Sequence, residues 1–172
     1  MPTKQILPFG DPILRKPAKP VEAINPKITK LLDDMVETLY ERDGRAGLAA
    51  PQVGTLRRVI VMDCGDGLIE LINPEILEKS GEQIGTEACL SLPGYYGEVK
   101  RANYVRITSL NRQGEQFILE GEGFLARCIQ HEIDHLNGVL FVDHVAHKWL
   151  FHENGQQRLD TLEVIRITNQ GI

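Results

Sequence analysis

The stretch Gln130-His131-Glu132-Ile133-Asp134-His135-Leu136 restricts this chain more than any other. His131 and His135 are four positions apart. On an α-helix that spacing stacks them on one face, about 6 Å apart along the axis. Two imidazoles so placed can hold one divalent ion. Glu132 lies a quarter-turn away, where its carboxylate can reach a water on that ion without ligating it. His-Glu-x-x-His thus supplies two ligands and one acid/base from a single turn. A helix supplies only two good ligands this way, so a third must come from elsewhere.

With 172 residues, the chain has room for one domain with a proper core. Its net charge of −5 argues against a nucleic-acid or anionic-membrane binder. No apolar run is long enough to span a membrane, and Met1 to Gly10 lacks the apolar core of a secretory signal. Cys64, Cys89 and Cys128 are too few and too widely spaced for a disulfide framework, and they fit a reducing, cytoplasmic setting.

Residues 1–25, with Pro2, Pro8, Pro12, Pro17 and Pro20, read as an ordered extended arm with one helical turn after Asp11. A helix is predicted over 26–42, with Asn25 as N-cap and Pro26 at its first position. Ile28, Leu31, Leu32, Met35, Val36 and Leu39 form its apolar stripe; Asp33, Asp34, Glu37 and Glu41 form its solvated face. Gly44 to Gly54 is a loop of small residues, without the Gly-Lys-Ser/Thr ending of a phosphate loop. It reads either as an ordinary loop or as a wall where backbone amides and Gln52 face a ligand. Strands are predicted over 58–63 and 68–72, the second ended by Pro74, with 76–84, 98–110 and 117–119 extending an antiparallel meander. A helix over 123–137 follows, with Gly138 just past its end. A last strand is expected over 162–168. The pattern is α+β: antiparallel strands arranged around a central helix that carries His-Glu-x-x-His.

The third ligand separates several hydrolases. His131 to Gly138 matches the start of the metzincin pattern, but Phe141 stands where its third His is required. A thermolysin-like zinc peptidase would need a later Glu; Glu153 and Glu163 lack a convincing helical setting. His144 and His147 read as surface residues. Cys128 shares the helix face but lies about 10.5 Å of rise from His135, so it reads as core. Cys89, in Glu87-Ala88-Cys89-Leu90-Ser91, comes from a different element and can approach from the side.

Gly47-Leu48-Ala49-Ala50-Pro51-Gln52, Glu87-Ala88-Cys89-Leu90-Ser91 and His131-Glu132-Ile133-Asp134-His135 together resemble the three signature motifs of the peptide deformylases, in order and at family-like spacing. The resemblance covers about residues 5–143. It implies removal of formyl groups from the N-terminal formyl-methionine of nascent polypeptides, and the metal ligands Cys89, His131 and His135. The ion implied is one divalent metal, Fe(II) natively, with Zn or Ni as substitutes; such donors accept all three. It implies Glu132 as proton carrier, and the Gln52 amide and Leu90 backbone N–H as oxyanion donors. Gly47 and Leu48 would hydrogen-bond the substrate backbone. Phe124, Cys128 and His131 would line the methionine pocket, with Glu87 and Arg101 paired behind Cys89. The expected partners are formyl-Met nascent chains and, transiently, the ribosome. No nucleic acid or membrane is expected, and the protein is expected to be a monomer. Competing readings are a zinc-dependent peptidase and a non-catalytic metal-binding protein. Two positions depart from the family pattern: Arg45 stands for a Gly and Ala88 for a Gly. The chain is read as one catalytic domain, 1–172, with 144–172 an extension whose structure the resemblance does not give.

Overall fold

The structure, a computed structural model, describes residues 3–170; Met1, Pro2, Gly171 and Ile172, which the 1–172 domain reading includes, lie outside the described residues. It is a mixed α/β fold with two antiparallel sheets and three α-helices. A five-stranded sheet has the order β1 (Gly47–Ala49), β2 (Val59–Met62), β3 (Ile69–Ser80), β6 (Tyr104–Leu110), β7 (Gln116–Glu122). A four-stranded sheet has the order β4 (Gln83–Cys89), β5 (Leu92–Arg101), β8 (Trp149–His152), β9 (Arg158–Asp160).

The helices are α1 (Pro26–Tyr40), α2 (Gly123–Leu136) and α3 (Thr161–Thr168). As the sequence predicts, the Asn25 side chain accepts from the Lys27 and Ile28 amides and Pro26 opens α1. Residues Val59 to Met62 are all fully buried because β2 is covered on both faces. Val59 and Val61 face Leu32, Met35 and the rest of the α1 stripe, while Ile60 and Met62 face Ile129, Ile133 and Leu136 of α2. Each such side chain contributes about 1.5–3 kcal/mol on burial. A third cluster joins Leu14, Cys89, Val99, Phe141, Leu150 and Val164 beneath the four-stranded sheet.

Three expectations are corrected. Asp34 is not on the solvated face of α1. It is buried because the N-terminal arm lies across that side, the Lys4 amide donating to Thr38 Oγ1 at 2.7 Å. Its carboxylate pairs with Lys30 at 2.7 Å. Pro74 does not end a strand. β3 runs through it by a register shift between Ile72 and Glu75, with Asn73 at φ 52. That bulge removes the ladder bond Pro74 cannot make. The Asn73 side chain fastens it to Val21, accepting from its amide and donating to its carbonyl, both at 2.8 Å.

Residues 162–168 form most of α3 rather than a strand. Their β-branched content suggests extension, but Asp160 caps the Leu162 and Glu163 amides, and burial of Thr161, Val164 and Thr168 follows helical spacing. The residues after 144 are ordered structure: β8 extends the β4–β5 sheet. Arg15 in the N-terminal arm binds Asp143 at 2.6 Å and Thr168 at 2.7 Å, tying the arm to both.

Candidate metal centre and cleft

The edge strand β1 and the turn joining β4 to β5 face each other across a cavity of about 520 Å³, closed at its base by α2. Register shifts between Ala88 and Cys89, so the strand turns Cys89 toward α2. Ala88 does not have a positive φ, so Ala meets no penalty where the family pattern has Gly. One ligand atom each from Cys89, His131 and His135 lies within 4.8 Å of the others, and all three residues are buried. Cys89 Sγ is 3.4 Å from His135 Nε2. A tetrahedral ion bound through sulfur and nitrogen sets these donors roughly 3.5 Å apart. The donors therefore fit one ion without rebuilding the backbone. Among the described residues Glu132 Oε1 is buried without a hydrogen-bond partner, an orphaned polar atom of the kind that a water held at a filled site accounts for.

Glu132 is 5% exposed, and burial pushes its carboxyl up to about 7. There it can take and return a proton near neutral pH. Its side chain occupies the space beside Gly47, where a Cβ would sit 2.6 Å from Glu132 Oε2. Burial likewise pushes His135 well below the usual imidazole range, keeping it neutral and able to ligate.

His131 is oriented from behind. Its Nδ1 meets Glu87 Oε1 at 2.8 Å, leaving Nε2 for a metal. Arg101 grips Glu87 through Nε at 2.8 Å and Nη2 at 2.9 Å, and Arg127 Nη1 adds a bond at 2.6 Å. Desolvation would raise the Glu87 carboxyl, but the Arg101 and His131 hydrogen bonds outweigh it and hold it well below the usual range. Arg101 also donates to Asp134 at 2.6 Å, and His144 Nε2 meets the same oxygen at 3.0 Å. The Glu87–Arg101 pair that the resemblance implies is present, but it braces His131 rather than Cys89. Arg127, Asp134 and His144 were missed. The signal for Arg127 was an arginine four residues before His131 on the same helix face.

Gln52 is fixed by its own turn. Its Oε1 accepts from the Ala49 amide at 3.0 Å, while Nε2 donates to Ser91 Oγ at 3.1 Å and lies 3.5 Å from Cys89 Sγ. Gln52, Leu90, Gly47, Phe124, Cys128, His131 and Glu132 all line the cavity. Leu48 does not. Its side chain is buried in the α1 cluster, so only its backbone can face a substrate. Cys128 is both core and cavity wall. Arg45 donates to the Thr38 carbonyl and so caps the C-terminal end of α1.

Glu153 is exposed on the β8–β9 turn, and Glu163 is exposed and paired with Arg166. Neither joins the Cys/His/His cluster. Phe141, standing where a metzincin has its third His, instead stacks on the His131 ring at a centroid distance of 6.1 Å.

A cysteine sulfur, two imidazoles and a buried carboxylate converging in a cleft beside an edge strand are the parts of a metal-assisted hydrolase. The sequence pattern of the polypeptide deformylases matches residues 3–149. A peptide deformylase from Desulfitobacterium hafniense is 57% identical over 139 residues, 81% of this chain and 92% of that one. The crystal structure of peptide deformylase from Thermotoga maritima superposes with a TM-score of 0.82 at 44% identity, covering 86% of this chain and all of that one. The deformylase from Legionella pneumophila gives 0.82 at 40%, covering 98% and 95%. The chain belongs to the polypeptide deformylase family. That membership favours deformylation over the zinc-peptidase alternative.

Proposed function

We propose that this chain hydrolyses the formyl group from the N-terminal formyl-methionine of newly made polypeptides, releasing formate and a free α-amine. The observation that carries the reading is the buried Glu132, its Oε1 unpartnered, beside the converged Cys89, His131 and His135. Those three residues would hold one divalent ion, and α2, which carries two of them, is the centre around which the strands serve the reaction. When bound there, such an ion would supply Lewis-acid activation of water and of the formyl group.

The remaining steps belong to the chain's own residues. Glu132 takes a proton from the attacking water and passes it to the departing amine nitrogen as the C–N bond breaks. The Gln52 Nε2–H now near Cys89 Sγ turns to the oxyanion, and the Leu90 backbone N–H is the second donor. The substrate backbone adds to the open edge of β1 through Gly47 and Leu48. Its methionine side chain enters between Phe124, Cys128 and His131.

Fe(II) is the working metal in this reading, with Zn or Ni as substitutes. The Cys89, His131 and His135 donors accept all three ions, so the choice of iron rests on the family resemblance. The chain acts as one catalytic domain and, in this reading, as a monomer. It meets nascent chains in the cytoplasm, transiently at the ribosome, where formyl-methionine termini emerge.

The test is formate release from formyl-Met-Ala-Ser by anaerobically purified protein, beside Glu132→Ala and a metal analysis. Wild type should release formate with one metal per chain, and Glu132→Ala should lose about 10²–10⁴ in kcat. Metal-loaded wild type without formate release would sink the reading. Air inactivation of the wild type, prevented by nickel loading, is expected for native iron.

A further inference from the structure

The family pattern ends at residue 149, yet the chain continues through the β8–β9 hairpin and α3. This continuation reaches the cleft. β8 pairs with β5 through Tyr95–His152 and Tyr96–Phe151, and the Glu153 amide donates to the Gly94 carbonyl at 2.8 Å. Gly94, at φ 83, makes room for the His152 ring, which a Cβ there would meet at 2.6 Å. His152 packs edge-on against Tyr95 at 4.8 Å. These contacts fix the start of the hairpin turn, and they place Glu153 in the cavity wall beside Pro93 and Gly94. Across the mouth, the same cavity is lined by Arg42, Asp43 and Arg45. Arg45 is engaged on the Thr38 carbonyl and Glu41, so the cleft opens between a rim of mixed charge and a carboxylate supplied by the extension.

We propose that the β8–β9 hairpin is a substrate-contacting wall of the cleft, and that Glu153 selects for positive charge at the third residue of the substrate. The inference rests on the deformylase reading. A peptide added along β1 advances about 3.3 Å per residue, and its side chains alternate in direction. With the methionine in the pocket, the third side chain shares the methionine's face and lies about 6–7 Å farther toward the mouth. There the exposed Glu153 carboxylate is the anion on the β5–β8 side.

The test compares formyl-Met-Ala-Lys-amide with formyl-Met-Ala-Glu-amide in wild type, Glu153→Gln, Glu153→Lys and Glu153→Asp. Glu153→Gln should lower the Lys-over-Glu ratio of kcat/KM by about two- to fivefold, the range of an exposed ion pair, carried by KM. Glu153→Lys should lower it further. Glu153→Asp should stay nearer wild type, and high ionic strength should shrink all differences. Glu153 is exposed, so unchanged melting temperatures will verify that the variants fold. A ratio unmoved by both Gln and Lys overturns the proposal. A change carried by kcat alone also overturns it, because a rim charge cannot act on the chemical step. Failure of the wild type to release formate from formyl-Met-Ala-Ser is a separate result, one that removes the deformylase reading beneath it.

Discussion

Replacing Gly47 by Ala tests the cleft at its tightest point. The new Cβ would lie 2.6 Å from Glu132 Oε2, 2.9 Å from Cδ and 3.0 Å from Cγ. Ordinary contact begins near 3.4 Å, so the carboxylate must retreat by about 0.8 Å, and displacements near 1 Å cost on the order of 10²-fold in rate. Among the described residues, Glu132 Oε1 has no hydrogen-bond partner to resist the retreat. Gly47 does not have a positive φ, so Ala meets no backbone penalty in β1, and the overpacking against Glu132 should cost about 1–3 kcal/mol of stability. The expected result is a fall in kcat of about 10²-fold, about 2.7 kcal/mol of barrier. Metal content should be unchanged, because Cys89, His131 and His135 are untouched. Steady-state formate release, with metal analysis and a thermal melt on the same preparation, measures all three. A kcat within about threefold of wild type would refute the claim that the position of Glu132 against β1 matters to proton transfer.

Other consequences are open to measurement. Gln52→Leu should lower kcat by about 10²–10³, with bound metal retained; loss of metal instead would show that Gln52 serves the Cys89 sulfur rather than the oxyanion. Glu87→Gln should destabilise the fold at neutral pH by about 3–5 kcal/mol, because it leaves Arg101 and Arg127 buried against a neutral amide. The Glu87 carboxyl is depressed in the folded state, so its stabilisation is present above the unfolded value near 4.5 and is lost as pH falls. Denaturant melts should therefore show the gap between wild type and Glu87→Gln narrowing below about pH 4.5; a gap constant with pH would count against the assignment. Stripping the metal with a chelator should lower the melting temperature as well as abolish activity, since an ion that binds only the folded site stabilises it by mass action. Identical melts with and without metal would be inconsistent with ligation by three buried residues.

Much of the site was legible because its residues sit in short local motifs. His131, Glu132 and His135 are fixed relative to one another by helix geometry, which needs no tertiary information. Asn25 and Pro26 mark the start of α1 for the same reason. The misreadings came where a distant segment changed the environment. Asp34 has the spacing of a solvated residue, but the arm carrying Lys4 covers it. Pro74 is a local stop signal, overridden by the Asn73–Val21 bonds that hold a bulge open. Residues 162–168 look like a strand by propensity and become a helix because Asp160 caps them and the third core cluster buries one face.

Sequence alone determined which side chains are on offer: a cysteine, two histidines and a glutamate in two recognisable motifs, with one helix setting the spacing of His131, Glu132 and His135. Only the tertiary structure decided how that chemistry is held. Cys89 lies 42 residues before His131, and the register shift after Ala88 is what turns its sulfur to within 3.4 Å of His135. Glu87, Arg101, Arg127 and Asp134 come from three elements, β4, β5 and α2, and nothing in their spacing reveals that they form one network behind His131. The tail gave no motif at all, yet β8 brings Glu153 to the cleft by pairing with β5. The difference is physical. Contacts within a few residues follow from backbone geometry, whereas contacts between sheets depend on how buried surfaces pack, which local spacing does not record.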